Sequence, residues 1–293
     1  MKTFFRAIRA LSALLLAASA LPALAAIPLA ERDVLTSLYD QTNGDSWTDN
    51  TNWKTAGSFS AAGTECTWFG VVCDGTETHV IRINLDSNNL VGTLPSTLNS
   101  LTDLTIFYAR WNQLSGSIPS LTGLSALEQF YVGGNQLTGS IPSLTGLSAL
   151  WWFSVIDNQL TGPIPSLAGL TNLRIFAAYD NQLTGNIPSL DGLSSLQSFY
   201  VQDNRLTGAP PVAPASLLPS ASQLCPNRLT PSPTTSINDA WDTATGEAPW
   251  SQNCVAPLNS STTTAVPALD DLSLALLGLL LAGGAAVRMR RKG

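Results

Sequence analysis

From about residue 80 to residue 211 the apolar positions of this 293-residue chain return at a fixed interval, and the polar positions between them return with them. The segment NQLTGSIPSLTGLSAL, beginning at Asn135, recurs almost unchanged, and equivalent asparagines stand at Asn112, Asn135, Asn158, Asn181 and Asn204, a period of 23 residues. The first repeat, Asn88 to Asn112, is one residue longer. In the second repeat Leu124, Leu127, Phe130, Val132, Leu137, Ile141 and Leu144 fill the apolar slots and point to a common interior. A unit this short cannot bury its apolar side alone, so the pattern predicts stacked coils sharing one continuous core. Each coil gives one short strand, around residues 129–133 in that repeat, to a parallel sheet. On the other side, Gly139 to Pro142 joins a residue without Cβ to one without an amide donor, which predicts an extended or turn-like face, not an α-helical one.

The elements on either side of the array read as closures for an otherwise open core. Residues 27–79 begin with an amphipathic helix, Leu29 to Gln41, in which Leu35, Leu38 and Tyr39 share a face, and Asn43-Gly44-Asp45 stops it. Trp47, Trp53 and Phe59 follow, then Cys66-Thr67-Trp68-Phe69-Gly70-Val71-Val72-Cys73. The repeat weakens at Leu206 to Pro211, and residues 212–257 carry Cys225, Trp241, Trp250 and Cys254, read as a C-terminal cap with a flexible linker at 258–265. The elements Leu-x-Gly-x-Ile-Pro at Leu114–Pro119, Leu137–Pro142, Leu160–Pro165 and Leu183–Pro188 resemble the plant-type leucine-rich repeat, and ERDVLTSLYDQTNGDSWTDNTNW with CTWFGVVCD resembles the N-terminal cap of that family. The resemblance implies a repeat solenoid of α/β type: a right-handed superhelix with short parallel concave strands, an extended or 3-10 convex side and a cap at each end.

The ends of the chain change the picture of where it works. Residues 1–25 have a basic start, an apolar run and a small-residue exit, the pattern of a secretory signal peptide. At 266–293 Val266-Pro267-Ala268-Leu269 leads into an apolar run, Leu272 to Val287, closed by Arg288, Arg290, Arg291 and Lys292. Sixteen apolar residues make a short transmembrane span, and the basic cluster would stay cytoplasmic. This tail resembles the IPTL-type sorting signal of Gram-negative bacteria, which implies export, an exosortase-like processing enzyme as partner, and delivery to the cell surface, anchored transiently or permanently by the C-terminal segment. Between these signals, residues 27–266 hold 18 acidic and 7 basic side chains, a net charge of −11 that repels phosphate backbones and argues against nucleic acid. In an exported chain the four cysteines are expected in disulfides. Spacing leaves their connectivity open; Cys66 with Cys73 and Cys225 with Cys254 is the pairing that suits two caps, the second closing a loop worth about 3–4 kcal/mol. Without CxxC spacing and with His79 as the single histidine, the sequence argues against a zinc or haem site, and no cofactor is expected.

Function is then sought on the variable, outward-pointing positions of the strands, because alternate residues of a strand face opposite sides. Three columns place Tyr108, Tyr131, Trp152, Ile156, Ile175, Tyr179 and Tyr200 on one concave sheet with Trp111 at its edge, and Arg110 as the lone positive charge of the central columns, placed to orient an acidic ligand group. An exposed aromatic patch of this kind marks an interaction site, the alternative being that large rings shield the sheet between rungs. Asp157, Asp180 and Asp203 form a second stripe, read as solvated carboxylates or, less simply, a calcium-recruiting row. No nucleophile with its base and no poised carboxylate pair is visible. The repeating asparagines and glycines are read as structural. The sequence therefore points to a non-enzymatic surface protein that binds a protein or glycan through Tyr108, Arg110, Trp111, Tyr131, Trp152, Ile156, Tyr179 and Tyr200. The alternatives are a structural envelope or matrix component without a ligand and, third, a polysaccharide hydrolase.

Overall fold

The 23-residue period folds into stacked coils in the computed structural model, which describes residues 26–254. The expected signal peptide, the linker at 258–265 and the sorting tail at 266–293 lie outside the described residues. Strands Val71–Cys73, Val80–Asn84, Ile106–Tyr108, Gln129–Tyr131, Trp152–Ser154, Ile175–Ala177 and Ser198–Tyr200 form one seven-stranded sheet in chain order. The first pair is antiparallel and the others parallel. Equivalent residues pair across the sheet, Ile106 with Gln129, Gln129 with Trp152 and Trp152 with Ile175, so each repeat position becomes a straight column. The opposite side is extended, as its Gly and Pro content predicts: short parallel pairings join Val91–Thr93 to Gln113–Ser115, and Thr161–Gly162, Gln182–Gly185, Arg205–Gly208 and Arg228–Leu229 to one another.

The column idea explains the core. Phe107, Phe130, Phe153, Phe176 and Phe199 are fully buried and stack in sequence with centroids 5.4–5.7 Å apart. Leucines of every coil surround this spine. At its C-terminal end Phe199 meets Trp241 of the helix Thr235–Thr245 at 6.3 Å, and Trp241 donates its indole N–H to the Pro211 carbonyl at 2.9 Å. At the N-terminal end helix Leu29–Gln41 sends Tyr39 into a cluster with Trp47 and Trp53, and Trp53 packs on Trp68 at 4.8 Å. An ion pair between Arg32 and Glu65 ties the helix to the cysteine-bearing segment. Disulfides join Cys66 to Cys73 and Cys225 to Cys254, one in each terminal segment.

Backbone groups at the bend between strand and return are the difficult part of such a coil, since they are buried and have no partner in the strand ladder. The asparagines supply one. Asn158 Oδ1 accepts the Leu137 N–H of the preceding coil at 2.9 Å, while its Nδ2 donates to the Val132, Val155 and Ile156 carbonyls at 3.0–3.3 Å. Asn112, Asn135, Asn181 and Asn204 repeat the arrangement. The row is longer than the five asparagines of the sequence reading. Asn227 accepts the Leu206 N–H and donates to the Val201 carbonyl, and Asn88 bonds Asp49 of the cap through both side-chain atoms. Asn227-Arg228-Leu229-Thr230 stands 23 residues after Asn204-Arg205-Leu206-Thr207, so a further coil lies inside the segment assigned to the C-terminal cap.

Removing one rung tests this account. Asn158→Ala leaves the Leu137 N–H without its partner in a buried bend, while the Val132 and Val155 carbonyls keep Asn135 and Asn181 as donors and the Ile156 carbonyl keeps the Gly134 N–H, and should cost about 2 kcal/mol. Asn172→Ala, which removes one exposed bond to the Ser148 carbonyl, should change stability by no more than about 0.5 kcal/mol. Equilibrium denaturation of the two variants measures the difference.

Candidate binding face

From Asn88 to Asn204 the residue before each ladder asparagine has one backbone conformation whatever its side chain, and only at Asn227, which follows Pro226, does the row depart from it. Ser87, Trp111, Gly134, Asp157, Asp180 and Asp203 all have positive φ, between 48° and 66°. Glycine and short polar residues tolerate this left-handed region, which accounts for the aspartate stripe as a demand of the backbone. Trp111 is the bulky exception. A β-carbon crowded against its own backbone costs about 1–3 kcal/mol, and such residues persist where their surroundings over-determine them. Its indole covers Gly134: a Cβ added there would lie 2.1 Å from Trp111 Cε3. The ring is nevertheless 48% exposed, the largest exposed aromatic on the array.

The remaining concave residues stand where the columns put them, but most are closed off. Tyr131 (5%), Trp152 (7%), Ile156 (3%) and Tyr200 (5%) have little contact with solvent, in contrast to the open patch expected from the sequence. Stacking is the cause. Tyr108 and Tyr131 lie parallel with centroids 4.5 Å apart, Trp152 meets Tyr131 edge-on at 4.8 Å, and Ile156 fills the space over Gly133. In a column spaced by one coil, each large ring covers its neighbours. Burial raises the pKa of the Tyr108 and Tyr200 hydroxyls. Tyr179 stays half-buried.

Arg110 also differs from expectation, because its charge is already matched. Its Nε and Nη2 donate to Asp86 Oδ2 at 3.0 and 2.7 Å, and its backbone N–H donates to Asp86 Oδ1 at 2.7 Å. The guanidinium carbon lies 5.6 Å from the Tyr108 ring centre and 5.4 Å from that of Tyr131. Arg110 is thus a rivet across the rings, with its hydrogen bonds directed to Asp86. What remains open is the N-terminal part of the sheet: Val72, Arg82 and Asn84 are exposed and Tyr108 is half-buried, with Trp111 beside them. Val72 pairs with Arg82, and Asn84 with Tyr108, so they share one surface. Sequence reasoning passed over Arg82 and Asn84 because it sought rings, although both stand in the same columns.

Two other clusters carry charge. Asp180 has its pKa pushed up to about 6 by desolvation and by the neighbouring Asp203 and Asp157 carboxylates, and desolvation also raises Asp203. On the cap side, Glu31, His79 and Asp103 bring ligand atoms within 4.8 Å of one another, a grouping able to hold a metal ion.

Comparison with known proteins places this geometry. The IPTL-CTERM motif model matches residues 264–291. The solenoid is similar to the PEPR1–AtPEP1 crystal structure, with a TM-score of 0.51 and 26% identity over 68% of this chain and 32% of that one. It shares its fold with a plant ice-binding protein at a TM-score of 0.53 and 23% identity, over 69% and 65% of the two chains. In sequence, 57 residues are 44% identical to Receptor protein kinase WSS1 of Oryza sativa subsp. japonica, and 55 residues are 40% identical to Nodulation receptor kinase of Pisum sativum. The matched segments span 6% of each of those two proteins. Among the described residues no helix is long and apolar enough to cross a membrane.

The aspartate stripe makes a pH-dependent prediction. A folded-state pKa of about 6 against an ordinary 3.8 means that the folded protein binds more protons than the unfolded one between those values. The strain from Asp180 is therefore fully present above pH 6 and is relieved as pH falls toward 4. Asp180→Asn keeps a residue suited to positive φ and removes the repulsion, so it should raise Tm at pH 7 by about 1–3 °C and flatten the pH dependence between pH 4 and 6. Thermal melts of both proteins across that range measure it.

Proposed function

We propose that this chain is an exported recognition protein that binds a protein or glycan partner on the N-terminal half of its concave sheet, with Trp111 and Tyr108 as anchors and Arg82 and Asn84 as polar contacts. Trp111 carries the reading. A strained, half-exposed indole on an otherwise regular array contributes less to stability than an asparagine or glycine would, and such strain is typical of a residue kept for contact. Arg110, held by Asp86, keeps the Tyr108 ring in place, so the anchor is ordered before a partner arrives and loses little freedom on binding. The receptor names of the rice and pea relatives and the PEPR1–AtPEP1 likeness support recognition over turnover. The tail motif supports export and sorting, with an exosortase-like enzyme as processing partner.

The buried rings favour a second reading for the C-terminal half. Where Tyr131, Trp152, Ile156 and Tyr200 close over the sheet they shield it, as a spacer in an envelope or matrix would require. Truncating them would test packing and not contact, so the informative substitutions are at the open end. Trp111→Asn relieves the backbone strain and should leave stability unchanged or raise it by about 1 kcal/mol. The same variant should lose at least about tenfold in affinity for whichever member of a panel of purified surface proteins, peptides and envelope polysaccharides the full chain binds. Binding indifferent to Trp111→Asn and Tyr108→Ala, or no binding across the panel, would favour the spacer reading for the whole array.

A further inference from the structure

We propose that Glu31, His79 and Asp103 form a binding site for a divalent transition-metal ion of the zinc class, which clasps the N-terminal cap to the first two coils. The three residues come from separate segments: Glu31 from the cap helix, His79 from the residue before strand Val80–Asn84, and Asp103 from the approach to strand Ile106–Tyr108. His79 Nδ1 lies 2.7 Å from Glu31 Oε1 and 3.4 Å from Asp103 Oδ2. A zinc ion about 2.0–2.2 Å from each of three ligands in tetrahedral geometry separates them by about 3.3–3.5 Å. Of the three separations, His79 to Asp103 already has that length, Glu31 and Asp103 lie within 4.8 Å of each other, and the short His79–Glu31 contact opens by small movements of His79, which like Asp103 is partly solvent-facing.

The fixed part of the site is Glu31. It is buried, and its Oε2 accepts the Val80 N–H at 2.7 Å, which turns Oε1 toward the histidine. Such a bond to the far atom of a ligand orients it and raises its affinity for metal. His79 is held in turn, its backbone N–H donating to Asp74 Oδ1 at 3.1 Å. The local charge points the same way. Two carboxylates, Glu31 and Asp103, face the imidazole, a third, Asp74, holds the backbone of the same residue, and among the described residues no lysine or arginine pairs with any of them. One imidazole with two carboxylate oxygens suits zinc and its neighbours better than calcium or magnesium, which take oxygen alone.

The chain offers few competitors for such an ion, since His79 is its only histidine and all four cysteines are in disulfides. A histidine-dependent signal therefore reports this site. Titration of the full chain with Zn²⁺ by calorimetry, and with Co²⁺ by its visible absorption, should show one equivalent bound, with the cobalt bands of a low-coordinate site displaced by zinc. Zinc should also raise Tm. Asp103→Asn, a solvent-facing change that leaves the cap intact, and His79→Ala should each weaken binding at least tenfold and abolish the Tm shift, while Asp191→Asn on a distant coil changes neither. Binding equally tight in Asp103→Asn, or no saturable binding by the unaltered chain, would overturn the site. Neither result depends on the concave-face partner.

Discussion

One constraint governs this molecule: every coil must superpose on the last, in register, with its bend satisfied. A solenoid has no second layer to absorb an error, because each coil packs only on its neighbours. The asparagine row meets that constraint. Its side chain accepts from one coil and donates to carbonyls of its own coil and its neighbour, so it measures the 23-residue step as it satisfies the backbone. A coil one residue too long would miss these partners unless the surplus fell outside the bend. The longer first repeat keeps its bonds at both ends: Asn112 accepts both the Asn88 and Leu90 N–H groups. Straight columns follow, and with them the phenylalanine spine and the stacked rings of the concave sheet.

Columns cut both ways for function. They bring side chains as distant in sequence as Tyr108 and Tyr200 onto one face, yet they also bring like next to like. Large rings one coil apart cover one another, so an aromatic column becomes a sealed surface in its middle and offers contact only where it ends or where a backbone turn lifts a ring clear. Trp111 is lifted in this way by its positive φ, and Tyr108 sits one coil from the start of the parallel array. Like charges in a column repel instead, and this adds to desolvation, the larger cause, in making Asp180, with a carboxylate in the adjacent coil on either side, hold its proton to higher pH.

Most of the fold was legible from the sequence, because period and residue type together fix which positions point inward. Phe130, Leu137 and Ile141 are buried as their slots require. The extra coil at Asn227 was legible too, from NRLT recurring at the right distance, but the loss of the Ile-Pro element beside it masked the match. The site was less legible. Pattern shows which way a side chain points and not what covers it, so Trp152 and Ile156 read as exposed until the packing of Tyr131 and the small Gly133 was known. Arg110 read as an unmatched charge because its partner Asp86 lies one coil away, a neighbour in space and 24 residues off in sequence. Glu31, His79 and Asp103 were invisible for the same reason: ligand spacing within one segment identifies metal sites built on a single turn, and this group is assembled from three.

The cap, the proposed metal clasp and the open half of the sheet meet on one strand. Val80 gives its N–H to Glu31, His79 precedes it, and Arg82 and Asn84 of the same strand face outward beside Tyr108. A short strand near the end of a stack is the element most prone to fray, since it lacks a full coil beyond it. Here Val71–Cys73 covers it on the far side in antiparallel pairing, and the Cys66–Cys73 disulfide anchors that cover. Whatever holds the cap against the first coil therefore also holds Arg82 and Asn84 in register with Tyr108. The proposed contact residues stand at this end, and not at the middle of the array, where the column opens and where the cap supplies the rigidity that neighbouring coils supply elsewhere.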